Sequence, residues 1–210
     1  MKKFVITINR NFGSLGRPIA KRLSELLNVE YYDRDIVEAA AKKMNLPVSV
    51  ISRIEEKRSG FFSMLFPLGN DSPEHQRAVF EAQSEILRDI AAKESCIIVG
   101  RCADYVLKDE VDAMHVYIYA PYADRLANCV ESLGMKKDEA KRMIAGVDKA
   151  RDAYHRYFAG YPADDPDHNH FIINSALLEV EGTAQALAAI TRVKFGEPGE
   201  GPEKKEAAKG

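Results

Sequence analysis

The hydrophobic positions of the chain alternate between short continuous runs and longer amphipathic stretches. Short apolar runs are typical of strands buried on both faces, whereas apolar residues recurring every three or four positions indicate helices. The runs predict five strands, at residues 4–8, 29–32, 96–99, 114–119 and 171–173. Amphipathic stretches predict helices at residues 19–27, 33–44, 49–58, 72–93, 126–134, 138–158 and 176–190. Strands separated by helices predict an α/β fold with a central parallel sheet of about five strands.

Two helix ends carry specific expectations. The helix at residues 126–134 is predicted to bury Leu126, Cys129, Val130 and Leu133 and to end at Gly134. Ser72-Pro73-Glu74 is a strong signal for a helix start.

A chain of 210 residues fits one domain with insertions. The predicted domain spans residues 1–195, with a helical flap at about residues 45–75 and a lid at about residues 136–165. Residues 196–210 contain Glu, Lys, Gly and Pro without an apolar face, and this tail is predicted to be disordered.

Charge and cysteine content narrow the functional classes. With 30 Lys and Arg against 32 Asp and Glu, the net charge of −2 provides no broad basic surface for a nucleic acid polymer or an anionic membrane. The first residues are too short an apolar run for a secretion signal or a membrane span. Cys96, Cys102 and Cys129 are odd in number and lack CxxC spacing, which argues against a disulfide framework and predicts a cytoplasmic protein.

A glycine-containing loop follows the first predicted strand and opens the first helix. We call residues 11–17 the phosphate loop; they are Asn11, Phe12, Gly13, Ser14, Leu15, Gly16 and Arg17. Backbone N–H groups of such a loop and the positive end of the next helix form an anion site, to which Arg17 adds a cation. Gly16 permits an unusual backbone conformation.

The phosphate loop departs from the Walker A pattern GxxxxGK[ST]. In the most direct register, Asn11 takes the place of the first glycine, Gly16 the second, Arg17 the lysine and Pro18 the Ser or Thr. An ordinary strand-to-helix turn is the alternative interpretation of this segment. The context of an N-terminal strand, a Gly-rich turn and an amphipathic helix favours phosphate binding.

Several segments together resemble the cytidylate-kinase-like family, relatives of the nucleoside monophosphate kinases. The resemblance covers about residues 3–192 and is carried by residues 8–20, 31–35, 97–103, Asp148, Arg151, Tyr154, Tyr157 and 174–175. It implies a three-layer P-loop kinase fold with a helical flap and lid. It also implies transfer of the γ-phosphoryl group of ATP, with Mg²⁺, to a small acceptor such as a nucleoside monophosphate.

The resemblance and the chemistry of phosphoryl transfer together suggest roles for individual residues. Such transfer requires cations that align two substrates and neutralise charge, and Arg17, Arg101 and Arg151 are the candidates. Asp33, Arg34 and Arg101 match the segments that bind the acceptor in cytidylate kinases. Helix capping by Asp33, a structural ion pair for Arg101 and a solvated helix face around Arg151 are the alternatives.

Some positions differ from the family pattern. Pro18 and Ile19 stand where a hydroxyl would ligate Mg²⁺, so the sequence names no metal ligand, and Cys102 replaces an aspartate that follows the arginine in cytidylate kinases. A nucleotide-binding regulator with weak catalysis is therefore the second hypothesis. A Rossmann-type oxidoreductase is disfavoured because residues 13–17 lack the GxGxxG spacing.

Two further segments contain residue types that occur in binding sites. His168 and His170 lie in a Pro-rich polar loop with several aspartates, and no other ligand cluster points to a metal there. The apolar segment at residues 61–66 predicts either a cover for an acceptor base or a contact in a homodimer.

Overall fold

The structure is a computed structural model that describes residues 3–33, 73–109 and 112–196. It contains five strands: β1 (Val5–Arg10), β2 (Glu30–Tyr32), β3 (Cys96–Val99), β4 (Ala113–Tyr119) and β5 (Phe171–Asn174). The helices in these ranges are α1 (Gly16–Leu27), α2 (Pro73–Lys93), α3 (Ala103–Val106), α4 (Tyr122–Glu131), α5 (Lys137–Ala159) and α6 (Ser175–Phe195). The predicted helices at residues 33–44 and 49–58, the segment at residues 61–66 and nearly all of the predicted flap and tail lie outside the described residues.

The five strands form one parallel sheet in the order β2-β3-β1-β4-β5. β1 lies at the centre and pairs with β3 on one side and β4 on the other, with Ile8 opposite both Val99 and Val116. The parallel α/β fold predicted from the sequence is therefore confirmed. The chain adds β2 and β3 on one side of β1 and then β4 and β5 on the other side. In open α/β sheets, ligands bind beyond the carboxyl ends of the strands where the connections change side in this way.

Residues of β1 and its flank alternate between two hydrophobic layers. Phe4, Ile6 and Ile8 pack with α1 and α6 on one face, and Val5 packs with α2 and α3 on the other. Because successive strand residues point to opposite faces, an apolar run without alternation places the sheet between two helical layers. At the end of α6, Phe195 stacks on Phe4 with ring centroids 4.9 Å apart.

A third cluster joins α4, α5 and the phosphate loop through Phe12, Cys129 and Val147. The expected buried face of the helix at residues 126–134 is only partly correct. Cys129 is fully buried, but Val130 is 37% and Leu133 49% exposed. α4 ends at Glu131 with Ser132 as its cap, so Gly134 lies beyond the helix and Leu133 no longer faces the core.

α6 begins with a short segment that differs in direction from the rest of the helix. Glu179 has φ 53° and ψ −163°, a non-helical conformation that separates the first turn from the remaining residues. None of the helices in the described ranges is sufficiently long and apolar to cross a membrane.

Leu187 and Val193 on α6 provide a test of this packing. Leu187 is fully buried in the first layer, whereas Val193 is 90% exposed on the same helix. We expect Leu187→Ala to lower the free energy of unfolding by about 2–5 kcal/mol, because it removes buried methyl groups and leaves a cavity. Val193→Ala is the matched control and should change it by less than about 0.5 kcal/mol. Equal effects of the two substitutions in chemical denaturation would contradict the placement of α6.

Candidate active site

The phosphate loop connects β1 to α1 through two residues in the left-handed region. Gly13 has φ 80° and Leu15 has φ 57°, and Leu15 is the residue directly before α1. The sequence predicted an unusual backbone conformation at Gly16, but Gly16 is not among the positive-φ residues and is the first residue of the helix. A non-glycine residue in this conformation is strained, and strain of this kind is concentrated at functional sites.

Hydrogen bonds between side chains and backbone carbonyls hold the phosphate loop against β4, α4 and α6. The Ser14 hydroxyl lies 3.0 Å from the Asn11 carbonyl and 3.1 Å from the Ile118 carbonyl of β4. The Ser175 hydroxyl at the start of α6 donates to the Ser14 carbonyl over 2.8 Å, and Asn128 Nδ2 on α4 donates to the Gly13 carbonyl over 2.9 Å. Three elements therefore fix the loop conformation.

Four arginines meet at the carboxyl edge of the sheet, and we call Arg10, Arg17, Arg101 and Arg151 the arginine cluster. Arg10 ends β1, and its Nε is buried with no hydrogen-bond partner among the described residues. Burial lowers the pKa of Arg10 well below its ordinary value, and the neighbouring cations Arg151, Arg17 and Arg101 lower it further. A partly buried cation among other cations is stabilised by an anion nearby.

Arg17 pairs with the carboxylate of Asp33, directly beyond β2. Asp33 is buried and also accepts a hydrogen bond from the Tyr31 hydroxyl over 3.0 Å. Although partial burial alone would lower the pKa of Arg17, hydrogen bonds to Tyr31 and Asp33 raise it. The side chain of Arg17 is still 43% exposed, so it can contact a ligand without leaving Asp33.

Arg101 belongs to a turn of three consecutive residues with positive φ. Gly100, Arg101 and Cys102 have φ of 77°, 63° and 51°, and α3 starts directly after them. The turn places Arg101 beside Tyr154 of α5. Burial raises the pKa of Tyr154 to about 12, and the nearby Arg101 guanidinium offsets part of this rise.

Arg151 joins α5 to the start of the phosphate loop. Its Nη1 donates to the Arg10 carbonyl over 3.2 Å, and its guanidinium lies 5.9 Å from the centroid of the Phe12 ring. One turn earlier, Asp148 Oδ1 accepts the Phe12 N–H over 2.7 Å, and the other oxygen of Asp148 pairs with Arg125 of α4. Burial lowers the pKa of Arg151, while the Asp148 carboxylate opposes that change.

A buried ion pair lies directly after the Arg101 turn, at the first turn of α3. His155 Nε2 lies 2.8 Å from Asp104 Oδ2, and His155 Nδ1 lies 2.8 Å from the Tyr161 carbonyl. A carbonyl can only accept, so Nδ1 carries a proton, and an ionised Asp104 requires a proton on Nε2 as well. His155 is therefore an imidazolium that connects α5 to the first turn of α3.

The pKa values of the pair agree with this assignment. Burial alone would lower the pKa of His155, but the hydrogen bond and the charge of Asp104 raise it overall. Burial would raise the pKa of Asp104, but the hydrogen bond and the charge of His155 lower it. Each group thus favours the charged form of the other.

The structure brings together most of the residues that the sequence singled out. Arg17, Asp33, Arg101 and Arg151 share the carboxyl edge of the sheet with the phosphate loop, whereas Arg34 lies outside the described residues. Sequence reasoning missed the roles of Arg10, Asp104 and His155. Arg10 had a detectable signal, since it is a charged residue at the end of a buried strand, but nothing in the sequence pairs Asp104 with His155.

The histidines of the polar loop have other contacts. His168 stacks on Tyr161 with ring centroids 3.6 Å apart, and His170 stacks on His115 at 5.0 Å. Within residues 3–33, 73–109 and 112–196, no group of three or more His, Cys, Asp or Glu residues could hold a metal ion.

Comparison with protein families gives an assignment. The profile of the Cytidylate kinase-like family matches residues 5–177, which include the phosphate loop, the Arg101 turn and Arg151. The chain belongs to this family. No curated protein is a significant match to the chain.

Solved structures of other proteins have the same fold. An uncharacterized protein from Eubacterium ventriosum has 22% sequence identity and a TM-score of 0.68, covering 90% of this chain and 98% of that one. Shikimate kinase from Bacteroides thetaiotaomicron has 14% identity and a TM-score of 0.52, with 90% and 98% coverage. The fold of this cytidylate kinase-like protein is therefore that of a P-loop kinase.

The Arg10 Nε is buried and finds no hydrogen-bond partner in residues 3–33, 73–109 and 112–196, which implies a cost in stability that a substitution can reveal. We expect Arg10→Met to raise the free energy of unfolding by about 1 kcal/mol in the absence of ligand, because an apolar chain of similar length removes a desolvated charge. Arg22→Met on α1 is the control. Arg22 is solvent-exposed and bonds Glu181 over 2.7 Å, so its loss should bring no gain. A lower melting temperature for Arg10→Met in thermal unfolding would contradict the uncompensated charge.

The buried pair predicts a specific pH dependence. Because the pKa of His155 is raised in the folded state, its stabilisation is fully present below the ordinary histidine pKa of about 6.5 and is lost as pH rises through the raised value. We expect His155→Gln to cost about 3 kcal/mol near pH 6, and the difference from wild type to shrink at higher pH. Asp104→Asn should likewise destabilise the protein near pH 6 and differ less from wild type at higher pH. The double variant should lose little more unfolding free energy than either single variant. A wild-type advantage that grows between about pH 6 and about pH 9 in denaturant titrations would refute the imidazolium assignment.

Proposed function

We propose that this protein is an ATP-dependent phosphotransferase that resembles cytidylate kinase and transfers the γ-phosphoryl group to a nucleoside monophosphate or another small acceptor. The observation that carries this proposal is the arginine cluster at the carboxyl edge of a parallel sheet, next to a strained loop and the N-terminus of α1. Phosphoryl transfer needs converging cations more than it needs a covalent catalyst, which is what these elements supply.

The two substrates would occupy opposite sides of the cluster. The donor phosphates would lie at the phosphate loop, residues Asn11 to Arg17, where backbone N–H groups and the α1 dipole favour anions. The acceptor would lie toward the ends of β2 and β3, where Asp33 and Arg101 are candidates for contact. Arg34, which the sequence predicts for the same role, lies outside the described residues. Arg151 reaches the same edge from α5 and would neutralise charge on the transferred group.

The start of α1 fits a nucleotide phosphate better than a protein-bound metal ion. Pro18 and Ile19 have no hydroxyl, and the Ser14 hydroxyl already faces two backbone carbonyls. The Asp33 carboxylate is engaged by Arg17 and Tyr31. We therefore assign Mg²⁺ no ligand from this loop and derive no step through it. Magnesium would enter with ATP as its complex.

A nucleotide-binding regulator with weak catalysis is the second candidate function. The observation that favours it is the missing loop hydroxyl, because proteins that hydrolyse or transfer phosphate with a Walker A loop use that group on Mg²⁺. Both proposals place the protein in the cytoplasm with a nucleotide as ligand, and a homodimer remains a prediction for either.

Turnover with defined substrates distinguishes the two functions. Mg²⁺-ATP would be incubated with individual nucleoside monophosphates and small hydroxylated metabolites, and ADP formation would be measured. We expect acceptor-dependent ADP formation by the wild type and a decrease of at least about 100-fold in kcat/KM for Arg17→Ala and Arg101→Ala.

The control for charge and folding is Arg22→Ala, an exposed arginine of α1 that should retain wild-type turnover. Nucleotide binding without phosphorylation of any acceptor would favour the regulator. Wild-type ATP affinity and turnover in Arg17→Ala would show that Arg17 does not serve the nucleotide.

A further inference from the structure

The backbone of the phosphate loop indicates a different register of the Walker A pattern from the one that the sequence favours. The glycines of such a loop stand where the chain is left-handed or closely approached. Leu15, with φ 57°, is the left-handed residue directly before α1, and Gly16 begins the helix. If Leu15 takes the place of the second glycine, Gly16 falls at the lysine position, Arg17 at the hydroxyl position and Arg10 at the first glycine.

In this register the lysine position has no side chain, but the space around it is filled by Arg10. A Cβ atom on Gly16 would lie 2.8 Å from Arg10 Cβ, 2.9 Å from Cγ and 3.7 Å from Cδ. These contacts are with the near part of the Arg10 chain, which cannot move aside without moving β1. Gly16 is therefore the residue that allows Arg10 to cross the start of α1.

The guanidinium end of Arg10 meets a second glycine. A Cβ atom on Gly100 would lie 2.5 Å from Arg10 Nη1, at the carboxyl end of β3. Arg10 thus extends from one glycine, at the phosphate loop, to another, beside Arg101. Its Nε is buried and has no hydrogen-bond partner within the described residues, although the residue as a whole is only partly buried. The guanidinium therefore lies between the phosphate loop and the end of β3.

We propose that Arg10 takes over the role of the Walker lysine and binds the β- and γ-phosphate oxygens of the donor nucleotide. The cation comes from the end of β1 rather than from the first residue of α1. Gly16 and Gly100 have no side chain, which leaves room for the Arg10 side chain to extend across the start of α1. This proposal rests on the proposed phosphotransferase function. It adds a residue that contacts the donor phosphates and assigns a structural reason to two glycines.

Moving the cation from position 10 to position 16 tests the assignment directly. Four proteins would be compared in equilibrium titrations with Mg²⁺-ATP and with inorganic tripolyphosphate: wild type, Arg10→Gly, Gly16→Lys, and the double variant. We expect Arg10→Gly to weaken both ligands at least about tenfold, because charge-assisted bonds to phosphate are lost. Gly16→Lys alone should also weaken them, since the new side chain collides with Arg10.

The double variant carries the decisive outcome. With Arg10 removed, the ammonium group introduced at position 16 has room to reach the phosphates from the usual Walker position, and we expect affinity within about fivefold of wild type. Recovery of this kind cannot come from a purely structural role of Arg10. The exposed Arg22→Gln is the control and should bind both ligands as the wild type does.

Failures of the two proposals look different. A wild type that binds neither ATP nor tripolyphosphate overturns the phosphotransferase function and this assignment with it. A wild type that binds both, together with an Arg10→Gly variant that binds as tightly, overturns the role of Arg10 alone. A double variant that binds no better than Arg10→Gly has the same meaning. Melting temperatures of all four proteins establish that each is folded, and Arg10→Met removes the same cation without introducing a glycine.

Discussion

The constraint on which this structure depends is a positively charged side chain at the end of the central strand, whose buried Nε has no hydrogen-bond partner in the described part of the chain. Burying an unpaired cation is costly, and such charges usually gain a carboxylate partner or are lost. Within the described residues, Arg10 instead has other arginines as neighbours, and both burial and these cations lower its pKa. The fold keeps this unfavourable arrangement through two glycines and a central strand that cannot easily shift. Four cations at one edge create a positive potential that attracts polyanions, which is the basis of the function proposed above.

The backbone beside the arginine cluster is strained as well. Arg101 and Cys102 are non-glycine residues in the left-handed region, where each costs roughly 1–2 kcal/mol. The Asp104–His155 pair lies directly after them and fastens α3 to α5, so a buried pair of opposite charges supports a strained turn that presents a cation. Asp148, Arg151 and His155 recur at helical spacing on one face of α5. One helix face therefore contacts both the segment around the phosphate loop and the first turn of α3.

Much of the architecture was accessible from the sequence, because buried parallel strands leave continuous apolar runs that surface segments rarely imitate. The positions of Arg17, Asp33 and Arg101 near one another also followed, since the ends of parallel strands meet at one edge. Arg151 lies on α5 and was indicated only by the family resemblance. Leu133 was assigned to the core because its spacing suits a helix, yet α4 ends before it. The Arg10 site was hidden for a related reason. The sequence shows that position 16 is a glycine. It does not show that the Arg10 side chain fills the space beside this glycine, because that contact depends on how β1 and α1 cross in the folded chain.

The origin of the cation affects how the site can respond to a ligand. A lysine on the first turn of α1 would move with that helix, whereas Arg10 belongs to the centre of the sheet and its carbonyl accepts a hydrogen bond from Arg151 of α5. The two guanidinium groups repel each other, as the effect of Arg151 on the pKa of Arg10 shows. Donor phosphates bound between them, as proposed above, would offset that repulsion, so the cation contributed by the sheet and the cation contributed by α5 would act on the same ligand.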